Sequence, residues 1–265
     1  MTSVLAYIGR NTLDLVRYLS GLIELSREAA YWTFVAPFKG RALKWRNAIH
    51  QMVLVGVDSI PIVGLISLFI GLVLALQGAY QLRKFGAAFM VTALVGVSMT
   101  RELGPLITAI IIAGRSGSAF AAELGTMKVS EELDALDVMG LDKVRYLVVP
   151  KYLAMIIMMP CLTIISDLSG IIGGAIFEML QLDQTFYSVL FDNQDALAMR
   201  DIWTGLVKSI VFGLIITKVG CYEGFSVKGG AEGVGKATTS SVVVSIFLVI
   251  FADVIFTAIF YYTSS

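Results

Sequence analysis

The sequence predicts an all-α integral membrane protein: an N-terminal amphipathic helix in the membrane interface, five transmembrane helices, and a short helix on the cytoplasmic side. Three observations predict it. Hydrophobic residues make up 57% of the 265 and charged residues only 15%, whereas about a quarter of a soluble domain is charged. The mean hydropathy is +0.82. Five separate stretches each supply the roughly 20 largely apolar residues that a helix needs to cross a bilayer.

The spans fall at about 59–82, 85–113, 152–177, 202–221 and 242–262, within one domain over 51–265. Ser59–Leu82 carries no charge. Phe85–Ala113 contains Arg101 and Glu102 and is interrupted at Gly104-Pro105, because proline lacks the N–H a helix interior requires. Asp167 lies in the third span, Lys208 and Lys218 in the fourth, and Asp253 in the fifth. Small residues at Gly170, Gly173 and Gly174 let helices approach closely.

Residues 1–50 are an interfacial region and not a span. Arg10, Asp14, Arg17, Gly21, Glu24 and Glu28 recur at steps of four and three, which places them on one helical stripe. Val4, Leu5, Ile8, Leu13, Val16, Leu19 and Ile23 fill much of the remaining surface, the pattern of a helix lying in the interface plane. Tyr31-Trp-Thr-Phe34 adds aromatic residues suited to the headgroup level. No short basic region with an apolar core and small-residue cleavage site opens the chain, so insertion is expected to rely on the first span. On the other side, Leu182–Met199 is polar with scattered aromatics and reads as a short surface helix.

Basic residues set the orientation. Arg10, Arg17, Arg27, Lys39, Arg41, Lys44 and Arg46 precede the first span. Arg115, Lys128, Lys143, Arg145 and Lys151 mark the second-to-third connection, and Lys218, Lys228 and Lys236 the fourth-to-fifth. The opposite side has Arg83, Lys84 and Arg200. The N-terminus is therefore expected in the cytoplasm and the C-terminus outside.

Composition excludes several functions. Twenty Lys+Arg balance twenty Asp+Glu, so no global field recruits nucleic acid. Cys161 and Cys221 lie in apolar stretches, which argues against a disulfide framework or a thiolate metal site. His50 is the only histidine, which removes most catalytic triads and His-containing metal sites; no catalytic residue, metal ligand or cofactor site is expected in this chain.

Arg101-Glu102 is the sharpest local anomaly. Charges inside a span are costly and face a bundle interior or a wet cavity. Adjacent helix positions do not face each other, so partners are expected elsewhere: Lys208, Asp58, or the same pair in a second subunit. Two readings stand, a polar site in a lipid or solute cavity and a buried ion pair that fixes helix register. Asp58, Asp167 and Asp253 admit a proton-relay reading beside the commoner one of helix caps and solvated span ends. Gly230-Ala-Glu-Gly-Val-Gly235-Lys236-Ala237 nearly matches a phosphate-binding loop, but Ala237 has no hydroxyl for Mg²⁺ and no βαβ context surrounds it. It reads as a flexible glycine-rich loop. Glu131-Glu132-Leu-Asp134-Ala135-Leu136-Asp137-Val-Met139-Gly140 reads as a short acidic amphipathic helix ending at a glycine C-cap. It is either a partner-docking element or an ordinary interfacial loop.

Taken together, the segments resemble the MlaE/YrbE family, the permease subunits of ABC-type lipid transporters that work with MCE proteins. The matching stretches are Leu74-Ala-Leu-Gln-Gly78, Arg101-Glu-Leu-Gly-Pro105, Ala113-Gly-Arg-Ser-Gly-Ser118, Ala122-Glu-Leu-Gly-Thr-Met127, Glu131–Gly140 and Gly229-Gly-Ala-Glu-Gly-Val-Gly-Lys-Ala-Thr-Thr239. They run in order over about four-fifths of the chain, and the first fifty residues and 182–201 carry little of the similarity. The resemblance implies a homodimer in the bacterial inner membrane, a cytoplasmic ABC ATPase pair that binds ATP and Mg²⁺, a STAS-domain partner in some systems, and a periplasmic MCE hexamer. It implies transport of phospholipid between the inner and outer membranes, maintaining outer-membrane lipid asymmetry. Residues Glu131, Glu132, Asp134, Ala135, Leu136, Met139 and Gly140 would form the helix coupled to the ATPase. Arg101, Glu102, Lys208, Leu74, Gln77, Tyr80 and Phe85 would line the lipid cavity. One departure is that Asp142-Lys143 stands where the family often has proline. The competing reading from the residues is an ion-coupled secondary transporter using Arg101, Glu102, Lys208 and Asp253, against which stand the odd span count and the lack of inverted-repeat halves.

Overall fold

Five helices are long and apolar enough to cross a membrane: Trp45–Arg83, Val91–Val129, Val144–Gln181, Met199–Phe225 and Gly230–Tyr262. They belong to a computed structural model that describes residues 2–35, 45–181, 187–189, 191 and 196–263, among which no strand occurs. The longest run 39 residues, about 58 Å at 1.5 Å per residue and roughly twice the hydrocarbon thickness. Hydropathy marks only the part of each helix inside the membrane, which is why the expected boundaries are shorter. The expected surface helix over 182–199 lies largely outside the described residues.

Three local expectations are corrected. Phe85 does not open the second span: it is exposed in the preceding connection, and regular helix begins at Val91 after a turn at Ala88–Met90. Gly104-Pro105 does not interrupt that span. A single π-turn at Met99–Leu103 precedes Gly104, whose N–H bonds the carbonyl of Met99, so the helix absorbs the missing Pro105 donor by widening one turn. The glycine-rich segment is not a loop either. Helix begins at Gly230 and continues to Thr263, with Lys236 paired to Glu232 at 2.7 Å one turn earlier. A helix cannot cradle phosphate in the manner of a strand–loop–helix motif.

Close approach replaces bulky packing between the first and third spans. A Cβ on Gly71 would lie 1.9 Å from the carbonyl oxygen of Gly170, and one on Gly173 would lie 2.0 Å from that of Leu68. Helices this close owe their contact to backbone van der Waals packing, because lipid tails compete with any apolar side chain. The hydroxyls of Ser67 and Ser166 add a buried hydrogen bond of 2.7 Å across the same crossing. The fourth span meets the second in a similar way, since a Cβ on Gly205 would fall 2.2 Å from the carbonyl oxygen of Thr100. Much of the first and fifth spans, by contrast, is uncovered in the single chain.

The amphipathic helix Thr2–Ala30 is present. Leu13, Val16, Leu19 and Ile23 are exposed on it, as a lipid-facing surface requires. Leu22, Leu25 and Ala29 form its buried face, and Leu25 and Ala29 pack with Trp32, Val148, Tyr152 and Cys221. Gly21, read from sequence as part of the polar stripe, is instead the seat of Tyr222, whose ring leaves no room for a Cβ. The Tyr18 hydroxyl donates to Glu223 at 2.8 Å. Burial, reinforced by that carboxylate, pushes the Tyr18 phenol well above its ordinary range.

Candidate functional site

The π-turn at Met99–Leu103 carries Arg101 and Glu102, and such turns often mark functional positions. The two side chains diverge, as neighbours on a helix must. Glu102 turns into the bundle and forms an ion pair with Lys208 of the fourth span. Lys208 also donates to Thr257 of the fifth span at 2.8 Å, and Thr257 donates to Glu102 at 2.7 Å. Asp253, one helical turn before Thr257, lies 2.9 Å from the Lys208 ammonium in an electrostatic contact outside hydrogen-bond geometry. The lysine side chain is only 1% exposed. Three spans are thus joined through one buried cation, which is stable only because carboxylates surround it.

Arg101 points the other way. Its side chain is 35% exposed, and its guanidinium lies 3.8 Å from Asp201, near the start of the fourth span. Asp201 in turn accepts the backbone N–H of Ala198 at 3.3 Å and caps that helix. Arg101, Lys208 and Asp253 each lie about ten residues, or about 15 Å, from the ends of their helices. They share one level of the bundle, on the half away from the Glu132–Val138 helix. Among the partners foreseen for Arg101 and Glu102, Lys208 is found. Asp58 is not, and pairs instead with Arg115 at 3.7 Å. Asp253 joins the cluster, so three of the four residues grouped in the ion-coupled reading, Glu102, Lys208 and Asp253, come together.

The other proposed cavity residues do not gather around this cluster within one chain. Tyr80 opens on a groove of about 590 Å³ with Leu76, Ala79, Arg83, Lys84 and Phe177. The Lys84 ammonium lies 4.3 Å from the centre of its ring. Leu74 packs against Ala75, Ala79, Val91 and Val95. Gln77 and Phe85 are exposed on the outside of the bundle.

The short acidic helix forms over Glu132–Val138. Leu133 and Leu136 are buried and anchor it, while Val138 is 88% exposed and Met139 and both Glu132 and Asp134 also face outward. Its C-terminus is a Schellman turn. The N–H of Leu141 bonds the carbonyl of Leu136 and that of Gly140 bonds Asp137, each at 3.0 Å, with Gly140 at φ 68°. Glu131 adopts φ 61° at the other end, a conformation costly to a residue with a Cβ. Salt bridges from Lys128 to Asp134 and from Lys143 to Asp137 brace it on both sides. After the turn, the Asp142 carboxylate accepts the N–H of Arg145 at 3.0 Å and caps the next helix.

Sequence reasoning missed Lys151. It was counted among the basic residues that set orientation, yet its side chain is 1% exposed, paired with Glu123 at 2.7 Å and 4.9 Å from the centre of the Phe120 ring. Its place next to Pro150 at the head of an apolar span was the available signal. Asp167 is buried beside Gly104, with one carboxylate oxygen lacking a hydrogen bond among the described residues.

These features define a polytopic α-helical membrane protein with a charged cluster buried between three of its spans. Residues 48–259 match the family Permease MlaE, and the chain belongs to that family. It is 40% identical over 254 residues to a probable ABC transporter permease protein of Rickettsia prowazekii, covering 96% of both chains. It is 38% identical to the intermembrane phospholipid transport system permease protein MlaE of Haemophilus influenzae, over 80% of this chain and 82% of the other. It is also 36% identical to the chloroplastic protein TRIGALACTOSYLDIACYLGLYCEROL 1 of Arabidopsis thaliana, over 84% of this chain and 63% of that one.

Proposed function

We propose that this permease moves phospholipid between the inner and outer membranes of a bacterium, as a homodimer powered by a separate ABC ATPase pair. In this reading the N-terminus is cytoplasmic and the C-terminus periplasmic. An MCE-domain assembly receives or delivers lipid on the periplasmic side, and a STAS-domain protein joins on the cytoplasmic side in some systems. The lipid assignment draws on the name of the Haemophilus relative. The observation that carries the coupling is the exposed, doubly braced helix Glu132–Val138 between the second and third spans. A rigid lever on a rigid bundle transmits the movement of a partner, whereas a loose loop would not.

Lipid handling follows from the charged level of the bundle. Arg101 is the cation with exposure, and it would meet a phosphate headgroup by a charge-assisted contact. Lys208 is enclosed by Glu102 and Asp253, and its work is to hold the second, fourth and fifth spans in register beneath Arg101. The uncovered faces of the first and fifth spans supply apolar surface for acyl chains or for a second copy. Tyr80, Leu74, Gln77 and Phe85 would share a cavity with Arg101 only across a dimer.

Affinity purification of the tagged chain from native membranes in mild detergent, with mass spectrometry of the proteins and lipids it carries, tests the reading. Co-purification of an ABC ATPase, an MCE protein and phospholipid is expected. Gradient-driven transport by the chain alone in liposomes, without ATP, would overturn it in favour of an ion-coupled carrier.

A further inference from the structure

A second polar constellation lies well away from the Arg101 level, where the interfacial helix meets the third and fourth spans. A cavity of about 330 Å³ opens there. The lining is largely apolar, and the polar residues along it are Ser26, Thr33, Tyr152 and Lys218. The hydroxyls of Thr33 and Tyr152, on residues more than nine-tenths buried, make no hydrogen bond of ordinary geometry among the described residues. Ser26 stands beside Tyr152, and its hydroxyl, which donates to the Leu22 carbonyl at 2.7 Å, keeps lone pairs to accept the Tyr152 proton. Lys218 is half-buried, and among the described residues no carboxylate lies within ion-pair distance of it. Buried donors are normally satisfied, and a buried cation is normally paired. Among the described residues, the Lys218 ammonium at this cavity has no carboxylate partner, while the Thr33 and Tyr152 hydroxyls are enclosed in the wall behind it.

The apolar wall is arranged by depth. Ile156 follows Tyr152 by one helical turn along the third span, and Leu214 and Ile215 precede Lys218 by about one turn along the fourth. The third span enters the membrane from the end that the fourth span leaves, so both sets descend the same way. Polar groups therefore sit toward the interface and apolar ones about 6 Å deeper. A lipid has that polarity.

We infer that this cavity binds one acyl chain bearing an anionic head, with Lys218 on the head and Ile156, Leu214 and Ile215 on the chain. Its volume is at the low end of the roughly 300–1,000 Å³ of small-molecule sites, which suits one chain and not two. The head is a carboxylate or a phosphate, from a free fatty acid or from one leg of an anionic phospholipid. The bound chain bridges the interfacial helix to the third and fourth spans, so its occupancy sets how firmly that helix is held. The site is independent of the transported lipid.

The test uses the full-length chain in phosphatidylcholine nanodiscs. The probes are a diazirine-bearing palmitic acid, its methyl ester and a diazirine-bearing phosphatidylglycerol, with crosslinks mapped by mass spectrometry. Labelling at Ile156 and Leu214–Ile215 by at least one anionic probe is expected. Lys218→Gln should lower it by about tenfold or more, the size of one lost charge-assisted hydrogen bond. Lys218→Arg should retain it, and the methyl ester should label no better than the acid does in Lys218→Gln. Labelling by palmitic acid alone identifies the free acid as source, and labelling by phosphatidylglycerol identifies the phospholipid. Ala30→Trp, which fills the space from the interfacial helix, should abolish both and serves if Lys218→Gln does not fold. Labels confined to the outer faces of the first and fifth spans, or equal labelling of wild type and Lys218→Gln, would overturn the proposal.

Discussion

Glu102 and Lys208 stand 106 residues apart in the chain and form an ion pair inside the bundle. Asp253 closes on the same ammonium from a third helix. Removing the cation leaves two carboxylates facing each other without a counter-charge, and breaking a buried pair from one side costs about 3–5 kcal/mol. Lys208→Met should therefore lower the melting temperature and the folded yield in detergent severely. Glu102→Gln should cost less, because Asp253 still balances the lysine. The triple substitution Lys208→Met, Glu102→Gln, Asp253→Asn should recover most of the lost stability. A single Lys208→Met protein that melts like wild type would show that the cluster does not hold the three spans.

Arg101 gives the contrasting case. Its pair with Asp201 is long and half-exposed, and such pairs contribute about 0–1 kcal/mol. Arg101→Ala should leave the melting temperature nearly unchanged while reducing ATP-dependent lipid transfer in reconstituted membranes several-fold, and Arg101→Lys should recover part of it. Transfer at the wild-type rate in Arg101→Ala would remove Arg101 from the lipid path.

The contrast marks what was legible in the sequence. Five spans follow from hydropathy because the bilayer imposes a length on apolar helix, and Arg101, Glu102 and Lys208 stand out because charge there is expensive. Asp253 could be seen but not placed, since a lone acid gives no register between helices. The helical state of Gly230–Lys236 was hidden by glycine, which local propensity reads as loop. Gly233 is there for packing: a Cβ would lie 2.0 Å from the carbonyl oxygen of Lys228. The π-turn before Pro105 was equally hidden, because proline announces a missing donor but not how the helix absorbs it. Lys151 was misjudged because the same residue type serves to orient a chain and to be buried with an acid.

The crossing of the first and third spans predicts a steep glycine dependence. Gly71→Ala would drive a methyl group against the Gly170 carbonyl oxygen at 1.9 Å, and Gly173→Ala another against that of Leu68. Backbone cannot yield as a side chain can, so the helices must separate and lose the Ser67–Ser166 hydrogen bond. Either substitution should reduce folded protein in detergent by more than Gly86→Ala, where no atom crowds the site but φ is +68°. Equal yields for all three would show that the crossing tolerates a looser packing.

The interfacial helix carries a pH dependence of defined sign. Burial, with Asp142 and Glu24 adding like charge, raises the Glu28 carboxyl above its ordinary value, against smaller opposing effects of Lys143 and Arg27. A raised carboxyl binds its proton more tightly when the helix is docked than when it is free. Docking is thus favoured below the ordinary carboxylate range and weakens as the pH rises through the raised value. Protection factors over residues 13–30, which divide out the intrinsic pH dependence of amide exchange, should be higher at pH 4 than at pH 7, and Glu28→Gln should remove most of that difference. A pH difference that survives Glu28→Gln would assign it to another group.

The short helix offers the most direct test of coupling. Reversal of Glu132 and Asp134 to lysine changes exposed charge without touching Leu133 or Leu136, which anchor the helix. The exposed Lys128–Asp134 bridge is lost, but such pairs contribute about 0–1 kcal/mol, so the fold should persist with a nearly unchanged melting temperature. Binding of the ATPase should be lost, read by co-purification and by ATP hydrolysis in the reconstituted complex. Gly140→Val acts by a different route. A β-branched residue at φ 68° costs about 1–2 kcal/mol, and it would unwind the Schellman turn and misdirect Met139. Glu131→Gly, which relieves a non-glycine φ of 61°, should bind the ATPase at least as well as wild type. If the double charge reversal still binds and drives ATP hydrolysis normally, the partner engages another surface of the chain.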